Sequence, residues 1–382
     1  MNPPAVEWEP VAADGAARAG LLHTPHGTVA TPAFMPVGTR GAVKTVDVDD
    51  LEAVGTRMLL ANTYHLMLRP GADVVASLGE LHGFMAWQRP ILTDSGGYQV
   101  FSLEPRVTED GVAFASTYDG SRVELTPERA IAIQEALGSD VAMILDVLVG
   151  LPAERAVVAA AMERTLRWSE RALQARARGD RGLFGIVQGG TDRELRARSA
   201  AATAVLDFDG FGIGGLSVGE PAAERDAALE AAIAELPAAK VRYVMGLGDT
   251  EGILAAVALG ADLFDCVLPT RLARHGKALH RLGNFSIRLA EWAADPAPID
   301  GACGCPTCLR HSRGYLRHLF VTGEMLGKRL LTIHNLWYTH DLLARTREAI
   351  TRGTFPDMRR DVLAMRSGTG RSGMGEEAPE IP

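Results

Sequence analysis

Three aspartates stand directly after short apolar runs: Asp94 after Ile-Leu-Thr, Asp146 after Met-Ile-Leu and Asp265 after Asp-Leu-Phe. Polar and glycine residues recur at equivalent places, with Ser95-Gly96-Gly97, Gln188-Gly189-Gly190 after Gly-Ile-Val, and Gly214-Gly215 after Gly-Phe-Gly-Ile. A single Asp after a strand reads equally well as a helix cap or turn residue. Three brought to one place make a paired-carboxylate site, in which one carboxylate attacks a sugar carbon and a second moves protons. The glycines let backbone N–H groups come close to a ligand. Cys303, Cys305 and Cys308 lie within six residues and His334 follows 26 residues later. Three thiolates and one imidazole complete a tetrahedral zinc set with no open position, so the predicted role is structural. Cys266, beside Asp265, reads as a small buried apolar residue. Residues 210–215 match G-x-G-x-x-G, but Phe211 and Ile213 alternate as in a strand and a helical pattern starts only near Pro221, which argues against a dinucleotide loop. Arg271, Arg274, His275, Lys277 and Arg281 follow Asp265 directly, and Arg310, Arg313, Arg317 and Lys328 extend the positive character through the cysteine region. Such a stretch is either an ordinary solvated loop or a surface that holds phosphates.

The elements that must position these groups alternate in a βα rhythm. Apolar runs too short for helices are expected as strands at Thr31–Val37, Arg57–Ala61, Ile91–Thr93, Val141–Leu145, Leu183–Val187, Phe208–Ile213, Val241–Met245 and Asp262–Phe264. Their apolar character is continuous rather than alternating, as for parallel strands covered by helices. Eight such strands predict a (β/α)8 TIM barrel, with a doubly wound open sheet as the alternative, and in a barrel the three aspartates share the C-terminal rim. Helices are expected over Pro152–Arg178 and from Thr126, where Pro127 takes the first helical position. Residues 111–125 alternate around Asp119–Gly120 and predict an antiparallel hairpin inserted in the barrel. The expected organisation is an N-terminal segment 1–30, a barrel 31–270, a zinc-binding C-terminal helical subdomain 271–365 packed on it, and a disordered tail 366–382.

Composition agrees with a folded globular protein. The 382 residues are 47% hydrophobic and 23% charged, which excludes disordered, collagenous and disulfide-stapled classes. A net charge of −8 argues against a generally basic nucleic-acid coat, so any polyanion must be met locally. Four cysteines, three of them clustered, point to a reduced, cytoplasmic setting. No apolar run is long enough for a membrane span, and the acidic, proline-rich start is unlike a signal peptide.

The segments TPAFMPVGT, LANTYHLMLRPG, LTDSGGYQVFSL, GIVQGG, FGIGGLSVGE, FDCVLPTR, the Cys-x-Cys-x2-Cys cluster and the distal His334 together resemble the bacterial tRNA-guanine transglycosylases over about residues 10 to 350. The resemblance implies a (β/α)8 barrel with a structural zinc, and replacement of the wobble guanine of GUN-anticodon tRNAs by a 7-deazaguanine on the route to queuosine. It assigns Asp265 as the nucleophile at ribose C1′ and Asp94 as the general acid/base. Tyr98 and Met245 would stack on the two faces of the base. Asp146, Gln188 and the Gly214–Gly215–Leu216 backbone would bind its edge, with Leu216 and Glu220 available to a C7 ammonium. Arg271, Arg274 and Lys277 would contact tRNA, and the zinc subdomain would support a homodimer. The family usually carries a polar pair after the strand-four aspartate, whereas this chain has Val147-Leu148, resembling the queuine-using eukaryotic relatives, while Val218 keeps the bacterial type. The small base, 7-aminomethyl-7-deazaguanine (preQ1), is the favoured substrate and queuine the alternative. Readings from other classes are a barrel hydrolase of small nucleosides and a catalytically silent tRNA-binding subunit; the archaeal D-arm enzyme would need additional RNA-binding domains.

Overall fold

The computed structural model describes residues 5–217 and 219–368. The N-terminal segment forms an antiparallel sheet of β1 (Glu7–Asp14), β2 (Ala17–Thr24) and β3 (Gly27–Thr31). The apolar runs then become β4 (Ala33–Gly38), β5 (Leu59–Asn62) and β6 (Ile91–Asp94), each buried along its whole length because both faces are covered. An antiparallel insertion follows, made of β7 (Arg106–Val107), β8 (Val112–Ala115) and β9 (Arg122–Leu125). The expected hairpin is its β8–β9 unit, and β7 adds a third strand. The remaining barrel strands are β10 (Val141–Met143), β11 (Gly182–Val187), β12 (Gly210–Ile213), β13 (Val241–Val244) and β14 (Leu263–Cys266). They close as β4-β5-β6-β10-β11-β12-β13-β14 and back to β4, with every pairing parallel.

All eight expected strands are present, with ends moved by a few residues. The largest consequence is at β14, which extends to Cys266 rather than stopping at Phe264, so Asp265 is held by strand pairing opposite Met35. The G-x-G-x-x-G stretch is β12, with Phe211 and Ile213 buried. The long helix between β10 and β11 is Arg155–Ala175, inside the expected Pro152–Arg178, and the helix Pro127–Leu137 is capped by the Thr126 side chain accepting from the Arg129 amide.

Aspartates also stitch the opposite, N-terminal rim. Asp140 accepts from the Ile91 amide at 2.8 Å, Asp209 from the Leu183 amide at 2.9 Å and Asp262 from the Arg242 amide at 2.7 Å. Each carboxylate therefore ties the start of its own strand to the start of a neighbour, a stabilising task that leaves the other rim for chemistry.

The barrel and the C-terminal region share one helix, Met325–Arg352. Its Leu331 packs with Ala273, Ile287, Ile299 and the cysteines, whereas Ile333, Leu336, Leu342 and Leu343 join the barrel core. The last helix, Phe355–Ser367, runs past the tail boundary expected at residue 366. Arg366 explains the difference, since its guanidinium donates to the His280 carbonyl at 2.6 Å and to Tyr338 Oη at 3.2 Å. The rest of the expected tail, 369–382, and Val218 lie outside the described residues. No described helix is long and apolar enough to cross a membrane.

Candidate active site and metal centre

The C-terminal ends of the barrel strands surround a cavity of about 200 Å³ into which Asp94, Asp146 and Asp265 all open. Asp94 ends β6 and is 9% exposed. Four donors converge on it: Asn62 Nδ2 at 2.5 Å and Gln99 Nε2 at 3.1 Å on Oδ2, and the Thr63 amide at 2.9 Å and the Gly96 amide at 3.2 Å on Oδ1. Gly96 has φ +84° and caps the short helix Gly97–Phe101, a conformation in which a side chain would also press on Tyr64. Burial raises the Asp94 pKa above the usual carboxylate value, against the pull of these four hydrogen bonds. The same helix carries Tyr98 to the mouth, where it is 52% exposed.

Asp265 sits at the end of β14. Tyr243 Oη donates to its Oδ1 at 2.5 Å and the Gly246 amide donates to the same oxygen at 2.8 Å. Burial pushes its pKa up to about 6, the two hydrogen bonds opposing and the nearby Asp94 adding to the rise. Asp146 is raised to about 6 for the same first reason, with Gln188 opposing and Asp94 adding. Asp146 and Asp265 therefore each feel the charge of Asp94, and both change charge close to neutral pH.

Most residues expected from the sequence are gathered here: Asp94, Tyr98, Asp146, Gly214, Gly215, Leu216, Met245 and Asp265 all line the cavity. Gln188 stands behind the wall, 4% exposed, with Nε2 donating to Asp146 Oδ2 at 2.6 Å. Gly215 has φ +66°, and a Cβ there would lie 2.3 Å from Gln188 Oε1, so glycine is required where the wall meets that amide. Glu220 does not line the cavity; its carboxylate accepts from the Ser217 amide. Arg271 and Arg274 occupy the last turn of the helix Leu268–Arg274, which leaves the rim just after β14, and Lys277 follows in β15 (Lys277–Ala278), paired with β16 (Phe285–Ser286).

Four contributors were not singled out from the sequence. Tyr243, Asn62 and Gln99 hold the carboxylates, and Arg196 holds the wall. Its fully buried guanidinium donates to the carbonyls of Val187, Gly190, Gly214 and Gly215 at 2.6–3.1 Å. Desolvation lowers its pKa to about 9, which still leaves it charged near neutrality. The available signals were faint: Tyr243 is one of two polar-tipped residues in a four-residue strand, beside Arg242, and Arg196 opens no motif.

A second cluster lies outside the barrel. The sulfurs of Cys303, Cys305 and Cys308 stand 3.6, 3.6 and 3.3 Å from His334 Nδ1, and all four residues are buried. His334 Nε2 lies 2.8 Å from the Leu279 carbonyl, which fixes the ring with Nδ1 turned to the sulfurs. The Cys308 amide donates to Cys305 Sγ at 3.2 Å, a bond that favours a thiolate. The group could hold a metal ion, and its four donors leave no place for a substrate.

Comparison with known proteins agrees with this geometry. A family model described as queuine tRNA-ribosyltransferase matches residues 14–368. The chain is 52% identical over 353 residues to a queuine tRNA-ribosyltransferase of Herpetosiphon aurantiacus, covering 92% of this chain and 90% of the relative. It is 51% identical over 356 residues to one of Thermus thermophilus, covering 93% and 92%, and 50% identical over 354 residues to one of Pelotomaculum thermopropionicum, covering 92% and 96%. This chain belongs to the queuine tRNA-ribosyltransferase family.

Proposed function

We propose that this pentosyltransferase exchanges the wobble guanine of GUN-anticodon tRNAs for a 7-deazaguanine by double displacement at ribose C1′. The observation that carries the reading is the convergence of Asp94, Asp146 and Asp265 on one cavity, with both donors to Asp265 confined to one of its oxygens. The target nucleotide must leave the anticodon stack to enter. The other Asp265 oxygen attacks C1′ and the C1′–N9 bond breaks, while Asp94 delivers a proton to the departing guanine. Asp94 then takes the N9 proton of the incoming base, whose nitrogen displaces Asp265 and restores the original stereochemistry. A raised Asp94 pKa suits a group that must both give and take a proton. Asp146, oriented by Gln188, accepts from the N–H groups of the purine edge, and the Gly215 backbone amide donates to its carbonyl. Tyr98 and Met245 enclose its faces.

The C7 substituent reaches toward Leu148, which lines both the base cavity and a neighbouring apolar cavity with Phe101, Val107 and Val157. We favour the small aminomethyl base, because Leu148 narrows the wall and the Leu216 carbonyl supplies an acceptor for the ammonium. The adjoining apolar space is what supports queuine as the second reading. Arg271, Arg274 and Lys277 take the RNA backbone. The metal is zinc, one per chain, held by Cys303, Cys305, Cys308 and His334 as a structural brace. Two copies associate through the zinc region, where Leu309, Val321 and Met325 are 72%, 57% and 66% exposed.

Labelled guanine incubated with the protein and a GUN-anticodon transcript separates the classes. A transglycosylase incorporates label; a nucleoside hydrolase or a silent binding subunit does not. Competition between the aminomethyl base and queuine for release of labelled guanine decides the incoming base, and a tenfold preference for queuine would overturn the smaller one.

A further inference from the structure

We infer that Arg40, Arg69 and Tyr118 form a second phosphate-binding wing, on the rim beyond β4, β5 and β6, that grips the RNA backbone flanking the reacting nucleotide. The topology places the three side by side. Arg40 lies two residues beyond β4, Arg69 ends the helix Thr63–Leu68 that follows β5, and Tyr118 lies in the turn between β8 and β9 of the insertion that follows β6. β14, β4, β5 and β6 are consecutive in the barrel, so the wing continues the arc begun by Arg274 after β14.

The local geometry suits an anion. The guanidinium carbons of Arg69 and Arg40 lie 4.7 and 5.6 Å from the Tyr118 ring centroid, so one phenol ring gathers two positive charges. Tyr118 Oη is buried and has no hydrogen-bond partner among the described residues, which leaves it able to donate to a phosphate or to a water on one. Lys44 joins this group to Arg274: partial burial lowers its pKa, and the charges of Arg274 and Arg40 lower it further. His65 is likewise lowered by burial and then by Arg40 and Lys44. Among the described residues no carboxylate forms an ion pair with Arg40, Lys44, Arg69 or Arg274, although the chain carries eight more acidic than basic residues. Some exposed arginines elsewhere are paired, as Arg167 is with Glu109 and Arg329 with Asp47 and Asp50. Like charges crowded together without ion-pair partners repel one another, and a bound polyanion relieves that repulsion.

The inference rests on the reading of tRNA as substrate, so its test must tell the two apart. Binding of the full chain to a GUN-anticodon transcript is measured over a series of KCl concentrations, together with the KM for free guanine. The Arg40→Ala/Arg69→Ala protein should bind RNA about tenfold more weakly, with the slope of log K against log salt reduced by about 1 to 2. The guanine KM and thermal stability should be unchanged. The Arg40→Lys/Arg69→Lys protein should recover the slope, because charge rather than shape sets it. Tyr118→Leu should weaken binding less than the double alanine change. Unaltered RNA affinity and salt slope in the double alanine protein, alongside loss of both in Arg271→Ala/Arg274→Ala, overturns the wing and leaves the tRNA reading standing. Failure of the unaltered protein to bind the transcript overturns both.

Discussion

Tyr243 Oη and the Gly246 amide both donate to Oδ1 of Asp265, at 2.5 and 2.8 Å, and no described residue donates to Oδ2. One oxygen is pinned and the other is left to react. The phenol also matters electrostatically, because its hydrogen bond holds down a pKa that burial has pushed up to about 6. Removing it in Tyr243→Phe should move the acidic limb of the kcat profile for guanine exchange to higher pH, by about one unit. kcat should fall about tenfold or more, with little change in KM for RNA. An acidic limb left in place would mean that Asp265 is not the group whose ionisation starts the reaction.

A half-buried carboxylate with a raised pKa, such as Asp265, should burden the folded protein. The folded state binds the Asp265 proton more tightly than the unfolded chain does, so stability from this group is greatest below the ordinary carboxylate pKa of about 4 and declines as pH rises to about 6. Asp265→Asn should therefore raise the unfolding temperature at pH 7.5, by an amount equivalent to roughly 1–3 kcal/mol, and the gain should fade below pH 5. Thermal unfolding at the two pH values checks the sign. Equal stability of both proteins at pH 7.5 would show that the carboxylate is not strained by burial.

The barrel was legible in the sequence because fully covered parallel strands read as nearly continuous apolar runs, as β11 does throughout and β5 and β6 do up to their polar ends. Asp94, Asp146 and Asp265 were legible because each interrupts such a run at its end. Asn62, Gln99 and Tyr243 were not, since a polar group that serves another side chain acquires meaning only when the fold brings its partner near. Tyr243 and Asp265 are 22 positions apart and meet only because β13 pairs with β14. The β7 strand, two residues long, is recognised only by its pairing with β8. The contact that Glu220 makes with the Ser217 amide, three residues back, was not legible either, because it depends on the turn that the segment adopts.

Arg196 should prove as important as any residue touching the base. Its guanidinium holds carbonyls from Val187 to Gly215, and replacing it by Met would strand them in the core, each at a cost of about 1–3 kcal/mol if no water enters. Arg196→Met should lose several kcal/mol of stability and raise the KM for guanine. Arg196→Lys, which keeps charge but only one nitrogen, should fall between. Denaturant unfolding and guanine kinetics on the three proteins test the order, and an Arg196→Met protein of normal stability would contradict it.

The thiolate–imidazole cluster predicts one zinc per chain by metal analysis. Chelation, or Cys305→Ser, should lower the unfolding temperature and expose residues around 273–331 to protease before the barrel strands, because the cysteines are themselves part of that region's core. A zinc-free protein with unchanged stability and full RNA binding would show that the cluster does not brace the subdomain.

Asp265, and neither of the acids beside it, should form the bond to the ribose. Trapping the reaction with RNA under denaturing conditions, digesting the adduct and mapping the ribosylated peptide by mass spectrometry tests it directly. The added mass should fall on Asp265 within the segment from Leu263 to Val267. Its location on Asp94 or Asp146 would show that Asp265 is not the nucleophile.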